Sequence, residues 1–213
     1  MPATLYYSRN PNPRLAVAVA RYLEAPVDLE WAAPFHPDQA PFFLTLNPTQ
    51  RIPILVEDGT PLWEADAIAC RLSQLVGADF WRQGRDQPDM IRWISWGKEN
   101  FVRACDMVSF ETGTKLRYRL GTTDPAVVAE GLRRFHEAAA ILDRHLDGRD
   151  WLTGSTPSHA DFRMATFLPY NDTMRLPLRD YPGLAAWHDR LNALPAWADP
   201  FQGLAAPELP PVG

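Results

Sequence analysis

Four short stretches of the chain hold residues able to do chemistry. LYYSRNPNPR, Leu5 to Arg14, crowds two tyrosines, a serine and two asparagines into a few positions. Ser8, Asn10 and Asn12 are short polar side chains that could carry chemistry or simply shape a turn. RIPIL, Arg51 to Leu55, sets a cation beside a proline at the start of a strand. A proline has no N–H for a central ladder. Either the strand is an edge, or the Ile52–Pro53 bond is cis and turns the Ile52 N–H and C=O outward to a ligand.

LWEADAI, Leu62 to Ile68, places Glu64 at a strand-to-helix turn. The first unsatisfied N–H groups of the helix then come from near Ala65 and Asp66. Such a terminus is an anion site, and Glu64 beside it suits an ammonium. The plainer alternative is that Glu64 and Asp66 only favour a helix start through its dipole. STPSHAD reads as structure: Ser158 and Asp161 are spaced as a capping box, with Asp at the position of the commoner Glu or Gln. Ser158→Ala is expected to cost about 1 kcal/mol of stability and to leave ligand binding alone.

The whole chain narrows the field. It has 213 residues, 46% hydrophobic and 22% charged, an ordinary globular balance. Net charge is −5 with no dense run of Lys or Arg, which speaks against nucleic acid. No basic start leads into an apolar stretch, so neither a signal peptide nor a membrane span is expected. Cys70 and Cys105 read as reduced, partly buried thiols of a cytoplasmic protein. His136 and His145 stand nine residues apart in one helical pattern, about half a turn out of phase. They cannot share a metal, and no metal is expected.

The elements that must position these groups fall into two kinds. Strand patterns cover TLYY (Thr4–Tyr7) and VDLEW (Val27–Trp31), and RIPILVE, the Asp58–Gly59 turn and PLW form a hairpin. Helix patterns cover Arg14–Leu23, Ala40–Leu46 in distorted form, and Glu64–Val76 with Gly77 as its stop. The order β-α-β-(α)-β-β-α makes a mixed sheet flanked by helices, the element order of a thioredoxin-like domain. Residues 77–87 read as a linker. Beyond them come only helices: Pro88–Glu111, Asp124–Gly148 with Pro125 at its first position, and at least two more. The fold class is an α/β domain followed by an all-α domain.

In order and spacing, LYYS before a proline-started helix, NPTQRIPILVEDGTPLWEADAI, SHADF and YPGLAAWHDRLNALPAW resemble the cytosolic glutathione transferase family. The resemblance covers essentially the whole chain. It implies a thioredoxin-like glutathione-binding domain over 1–76, a linker over 77–87, and a helical domain over 88–213 with an electrophile site and dimer contacts. It also implies a cytoplasmic homodimer that uses glutathione as cosubstrate, needs no metal, and detoxifies small hydrophobic electrophiles. Carried over residue by residue, Ile52 before a cis Pro53 would pair with the cysteinyl backbone. Glu64, Ala65 and Asp66 would hold the γ-glutamyl end, although Ala65 stands where the family has a serine hydroxyl. Losing that one bond to a charged group weakens binding by about 1.5–3 kcal/mol at most. Arg51 would meet the glycyl carboxylate.

Family members activate the thiol with a tyrosine, serine or cysteine after strand one. Here no cysteine lies nearby, which disfavours mixed-disulfide chemistry, and the family's Ser or Cys position falls on Pro11 or Asn12. Asn12 followed by Pro13 suits a helix N-cap, and the expectation is that Asn12 donates to the bound thiolate, with Asn10 or Ser8 as the alternative. Trp93, Trp96, Asn100, Arg103 and Phe110 are candidate walls of the electrophile site, and equally candidates for core or dimer contacts. A glutathione-dependent lyase, isomerase or dehalogenase, or a non-catalytic binding module, remains an alternative to the transferase.

Overall fold

The computed structural model describes residues 3–212. The chain forms two compact units, one of Met1–Trp81 with Leu194–Glu208, the other of Arg82–Ala193 with Leu209–Gly213. The first unit runs β1 (Ala3–Tyr7), α1 (Pro11–Tyr22), β2 (Val27–Trp31), α2 (Ala40–Leu46), β3 (Ile54–Glu57), β4 (Thr60–Trp63) and α3 (Ala65–Val76). Its sheet has the order β2-β1-β3-β4, with β1 and β2 parallel and the other pairs antiparallel. This is the thioredoxin-like sheet expected from the element order.

Period-two burial explains the sheet. Ala3, Leu5 and Tyr7 are buried on one face, while Tyr6 packs on the other against Phe43. The hairpin turns on Asp58 and Gly59, both with positive φ (49° and 76°), the backbone a two-residue turn between twisted strands requires. Gly77, at φ 67°, ends α3 in the left-handed conformation that glycine takes without strain.

Two features depart from the sequence reading. The helix after β1 starts at Pro11, with Asn10 as its cap, two residues before the expected Asn12–Pro13 start. The Arg14 N–H donates to the Asn10 carbonyl at 2.9 Å and closes the first turn there. Asn12 is therefore inside the helix and is not its cap. The second departure is α1 itself, buried continuously from Pro13 to Ala20, wider than the stripe of a one-sided helix. The sheet and α3 cover part of it, and the short helix α11 (Pro195–Ala198) covers more. The buried Arg14 guanidinium donates to the Trp197 carbonyl and lies over the Trp197 ring, 4.9 Å from its centre.

The second unit is helical: α4 (Gln87–Glu99), α5 (Phe101–Ser109), α6 (Lys115–Arg117), α7 (Pro125–Leu146), α8 (His159–Met164), α9 (Asn171–Met174) and α10 (Pro182–Asn192). The helix expected over Pro88–Glu111 is broken at Asn100 (φ −117°, ψ −87°), whose side-chain amide donates to the Trp96 carbonyl at 2.7 Å. The Asn100 N–H makes its helical bond to the same carbonyl at 3.0 Å, so the ladder of α4 is complete up to the break. A π-helical turn over Phe110–Thr114 follows α5. His136 and His145 have separate partners, Tyr181 Oη at 2.7 Å and the Leu152 carbonyl at 2.9 Å.

Helices α5 and α7 meet at Gly131, where an added Cβ would lie 2.8 Å from Val108 Cγ2 and 3.3 Å from the Ala104 carbonyl oxygen. On an open helix Gly→Ala stabilises by about 1 kcal/mol. Here overpacking costs about 1–3 kcal/mol and reverses the sign. Gly131→Ala is expected to lower stability by up to about 2 kcal/mol net, read from the midpoint of urea denaturation.

Acid should loosen both units. Arg71 holds the Glu57 carboxyl below its ordinary range through two 2.7 Å bonds. The Asp124 N–H and the Lys115 ammonium lower Glu111, and Arg133 with Arg134 brings Glu130 from 4.5 to about 2. Each titrates lower folded than unfolded. The stability they confer is complete above about pH 4.5 and is lost as pH falls toward 2. Burial raises Asp106 and Asp161, which act in the opposite sense. The expected net result is a falling denaturation midpoint across that window, measured by urea titration at successive pH values.

Candidate functional site

Strand register gathers the candidate groups of the first unit. Tyr6 pairs with Ile54 and Ile54 with Trp63, so the end of β1, the start of β3 and the end of β4 lie side by side. From that one end of the sheet emerge the Ser8–Asn12 loop, the Ile52–Pro53 step and the Glu64 turn. Helices α1 and α3 both begin there, and two helix N-termini at one end favour an anion.

The Ile52–Pro53 bond is cis. Because β3 is an interior strand that begins at Ile54, Pro53 stands just outside the ladder, which settles the edge-or-cis question. Asn47, 2% exposed, donates from Nδ2 to the Arg51 carbonyl at 2.7 Å and accepts from the Thr49 N–H at 2.9 Å. It holds the backbone leading into Ile52. Sequence reasoning passed over Asn47, although an asparagine before a proline is a turn signal.

Glu64 caps α3 with φ 74° and ψ 122°, a backbone that non-glycine residues rarely adopt. Its carbonyl accepts from Ile68 N–H at 3.0 Å, while its exposed carboxylate has no hydrogen-bonding or ionic partner among the described residues. The exposed Arg51 guanidinium likewise has none. Ala65 is 2% exposed and Asp66 lies in the first turn of α3. One end of the sheet thus carries an unengaged carboxylate and a helix start, with an unengaged guanidinium beside the Ile52–Pro53 step.

Both tyrosines of β1 serve packing. Tyr7 is 2% exposed and stacks on Phe201 at 5.8 Å, and burial pushes its phenol pKa up against the opposing pull of Arg9 and Arg21. Tyr6 packs edge-on against Phe42 and Phe43, and burial, with Glu30, raises it as well. Neither phenol is poised to ionise.

Ser8 and Asn10 form a pair. Ser8 Oγ accepts from Asn10 Nδ2 at 3.2 Å and from the Asn10 N–H at 3.4 Å. With two donors on its oxygen, the Ser8 O–H is left to donate elsewhere. The first turn of α1 reads Pro11-Asn12-Pro13, so Asn12 alone among its three residues carries an N–H. The prolines remove two of the amides that a helix start would otherwise offer.

The candidate electrophile residues belong to the second unit. Trp93 is buried, 5.5 Å edge-on from Trp96 and 4.3 Å from the His145 ring, so it is a core residue. Arg103 pairs with Asp106 at 3.2 Å, Asn100 is held to the Trp96 carbonyl, and Phe110 is 41% exposed. Neither cysteine is a ready thiolate: burial pushes Cys105 far up and raises Cys70.

Family models match both parts of the chain. Residues 1–72 match the glutathione S-transferase N-terminal domain, and residues 125–190 match the glutathione S-transferase C-terminal domain. The chain belongs to the glutathione S-transferase family. Among its relatives, the disulfide-bond oxidoreductase YfcG of Escherichia coli is 24% identical over 208 residues, covering 90% of this chain and 91% of that protein. Glutathione S-transferase stcT of Emericella nidulans is 29% identical over 211 residues, 93% and 92% of the two chains. Glutathione S-transferase I from mais, solved with an atrazine glutathione conjugate, superposes with a TM-score of 0.83 at 20% identity, over 96% of this chain and 100% of that one.

Proposed function

We propose that the protein is a cytoplasmic, homodimeric glutathione transferase that conjugates glutathione to small hydrophobic electrophiles, a detoxifying reaction. The observation that carries the reading is Glu64. A non-glycine residue held at φ 74° on a helix start, with its carboxylate unengaged, is a strained and exposed group of the kind found at ligand sites. In this reading Glu64 takes the γ-glutamyl ammonium, and the start of α3 at Ala65 and Asp66 takes the neighbouring carboxylate. The Ile52 backbone, ahead of Pro53, pairs with the cysteinyl residue, and Arg51 meets the glycyl carboxylate. Ala65 supplies no hydroxyl, so affinity is modest.

The sulfur then lies toward the Ser8–Asn12 loop. A free thiol has a pKa near about 8.5 and must ionise near neutral pH. A donated hydrogen bond and a helix N-terminus both favour the thiolate. The thiolate attacks an electrophilic carbon, forming the C–S bond. In substitution the leaving group departs with its electron pair; in addition a proton ends on the neighbouring atom. Of the three candidate donors, the pair Ser8–Asn10 has the better geometry: Asn10, in place of Asn12, caps α1 and sets the Ser8 hydroxyl.

Calorimetric titration with glutathione, followed by a conjugation assay with an aryl halide, tests the proposal. Saturable binding with turnover is expected. Absence of heat at millimolar glutathione would overturn it. Thiol–disulfide exchange through a protein cysteine is a poorer reading, given the raised pKa of both cysteines.

A further inference from the structure

Arg9 separates Ser8 from Asn10 in sequence, yet its side chain serves a segment nearly two hundred residues away. Its Nε donates to the Ala206 carbonyl at 3.2 Å. Its guanidinium carbon lies 4.8 Å from the centre of the Phe201 ring, and Nη2 meets Glu208 at 2.8 Å. Phe201 in turn stacks on Tyr7, the last residue of β1. Tyr7, Val17, Phe201 and Ala206 form one buried cluster, with Leu29 and Leu204 packed against it.

The segment Leu194–Glu208 is thus held to the rest of the first unit by three arginines reaching three of its carbonyls. Arg14 takes Trp197, Arg21 takes Gln202 at 3.0 Å, and Arg9 takes Ala206. Arg14 and Arg21 stand on α1 and hold the segment to the helix. Arg9 alone of the three stands in the loop before α1, between the two residues of the hydrogen-bonded pair. Glu208 is 81% exposed, so its ion pair adds little. The carbonyl bond and the ring seat do the anchoring.

We infer that Arg9 is a positioning residue: clamped onto Phe201–Glu208, it holds the β1–α1 loop so that Asn10 orients the Ser8 hydroxyl toward the bound sulfur. The inference rests on the transferase reading for its chemistry, though the clamp itself does not. It makes the far end of the chain part of the apparatus that sets the thiol's acidity, although no residue of that segment need touch substrate. A loop freed from its clamp samples many orientations of Ser8, and only some of them donate to sulfur.

Arg9→Ala, Arg9→Lys and Phe201→Leu distinguish this from a stabilising contact alone. Two readouts are used: amide hydrogen exchange of Ser8–Asn12 without ligand, and the pH profile of aryl halide conjugation. Arg9→Ala is expected to exchange faster in that loop and to lose about tenfold in kcat/KM for glutathione at neutral pH. A tenfold loss corresponds to a midpoint displaced upward by about one pH unit. Arg9→Lys keeps a cation without the planar fork and should recover only part of the loss. Phe201→Leu keeps the apolar fill while removing the ring seat, and should change both readouts in the same direction even if Arg9→Ala does not fold. A folded Arg9→Ala or Phe201→Leu protein with parental loop exchange and an unmoved pH midpoint would overturn the inference. If the parent protein binds no glutathione, the transferase reading fails, and faster loop exchange in Arg9→Ala would still support the clamp.

Discussion

Asp161→Ala is expected to lower the unfolding free energy by about 4 kcal/mol, the largest stability effect of any single substitution considered. The carboxylate is wholly buried and receives four hydrogen bonds. Oδ1 accepts from the Leu152 N–H at 2.8 Å and from Trp187 Nε1 at 2.9 Å. Oδ2 accepts from the Ser158 N–H at 2.8 Å and from Ser158 Oγ at 2.9 Å. Removing the acceptor strands these buried donors, each at about 1–3 kcal/mol, with some relief as the site relaxes. Burial pushes the Asp161 carboxyl up, and the four donors pull against that rise.

Urea denaturation of Asp161→Ala beside Trp187→Phe separates the network from the helix cap. Trp187→Phe removes one donor and leaves the carboxylate with three, so it should cost less than Asp161→Ala. A loss below about 1 kcal/mol for Asp161→Ala, the worth of a cap alone, would mean that the network is not cooperative. Ser158→Ala should also exceed that figure. The Ser158 hydroxyl is fully buried and accepts from Thr153 Oγ1 at 2.9 Å in addition to its bond to Asp161.

Ser8→Ala is the substitution expected to cost most in catalysis. A hydrogen bond to a charged acceptor contributes about 1.5–3 kcal/mol, and 1.36 kcal/mol is equivalent to one pKa unit. Loss of the Ser8 donor should therefore raise the pKa of bound glutathione by about one to two and slow conjugation at neutral pH by about 10–100-fold. The sign follows from the thiolate: a donor favours the charged form, so its removal raises the pKa. The defect should shrink as pH rises past the new midpoint, because both proteins then carry ionised thiol. Ultraviolet difference titration of the bound thiol and the pH profile of kcat/KM measure the two quantities. Asn10→Ala should give a smaller change in the same direction, through loss of orientation. A larger change in Asn12→Ala than in Ser8→Ala would return the donor role to Asn12.

Much of the first unit was legible in the chain because its signals are local. VDLEW alternates, Asp58–Gly59 suits a tight turn, and Gly77 stops a helix. The start of α1 was misplaced because Asn10-Pro11 and Asn12-Pro13 repeat the same cap-and-proline signal two residues apart. The backbone bond from Arg14 to Asn10 selects the first of them. The break at Asn100 was hidden because the apolar pattern runs on through it, while the change lies in the backbone of that one residue. The capping box was read correctly, while the wider network was hidden, because Leu152 and Trp187 reach Asp161 from outside the motif.

What the sequence determined by itself was the family and the order of the elements. Those properties depend on spacing and on neighbours a few residues away. Tertiary structure alone decided that both β1 tyrosines are packed, that Asn10 lies on Ser8, and that Leu194–Glu208 belongs with the first unit. Each of these depends on what a side chain meets across the fold. Tyr7 needs Phe201 and Arg9 needs Ala206, contacts between residues far apart in the chain that periodicity cannot encode.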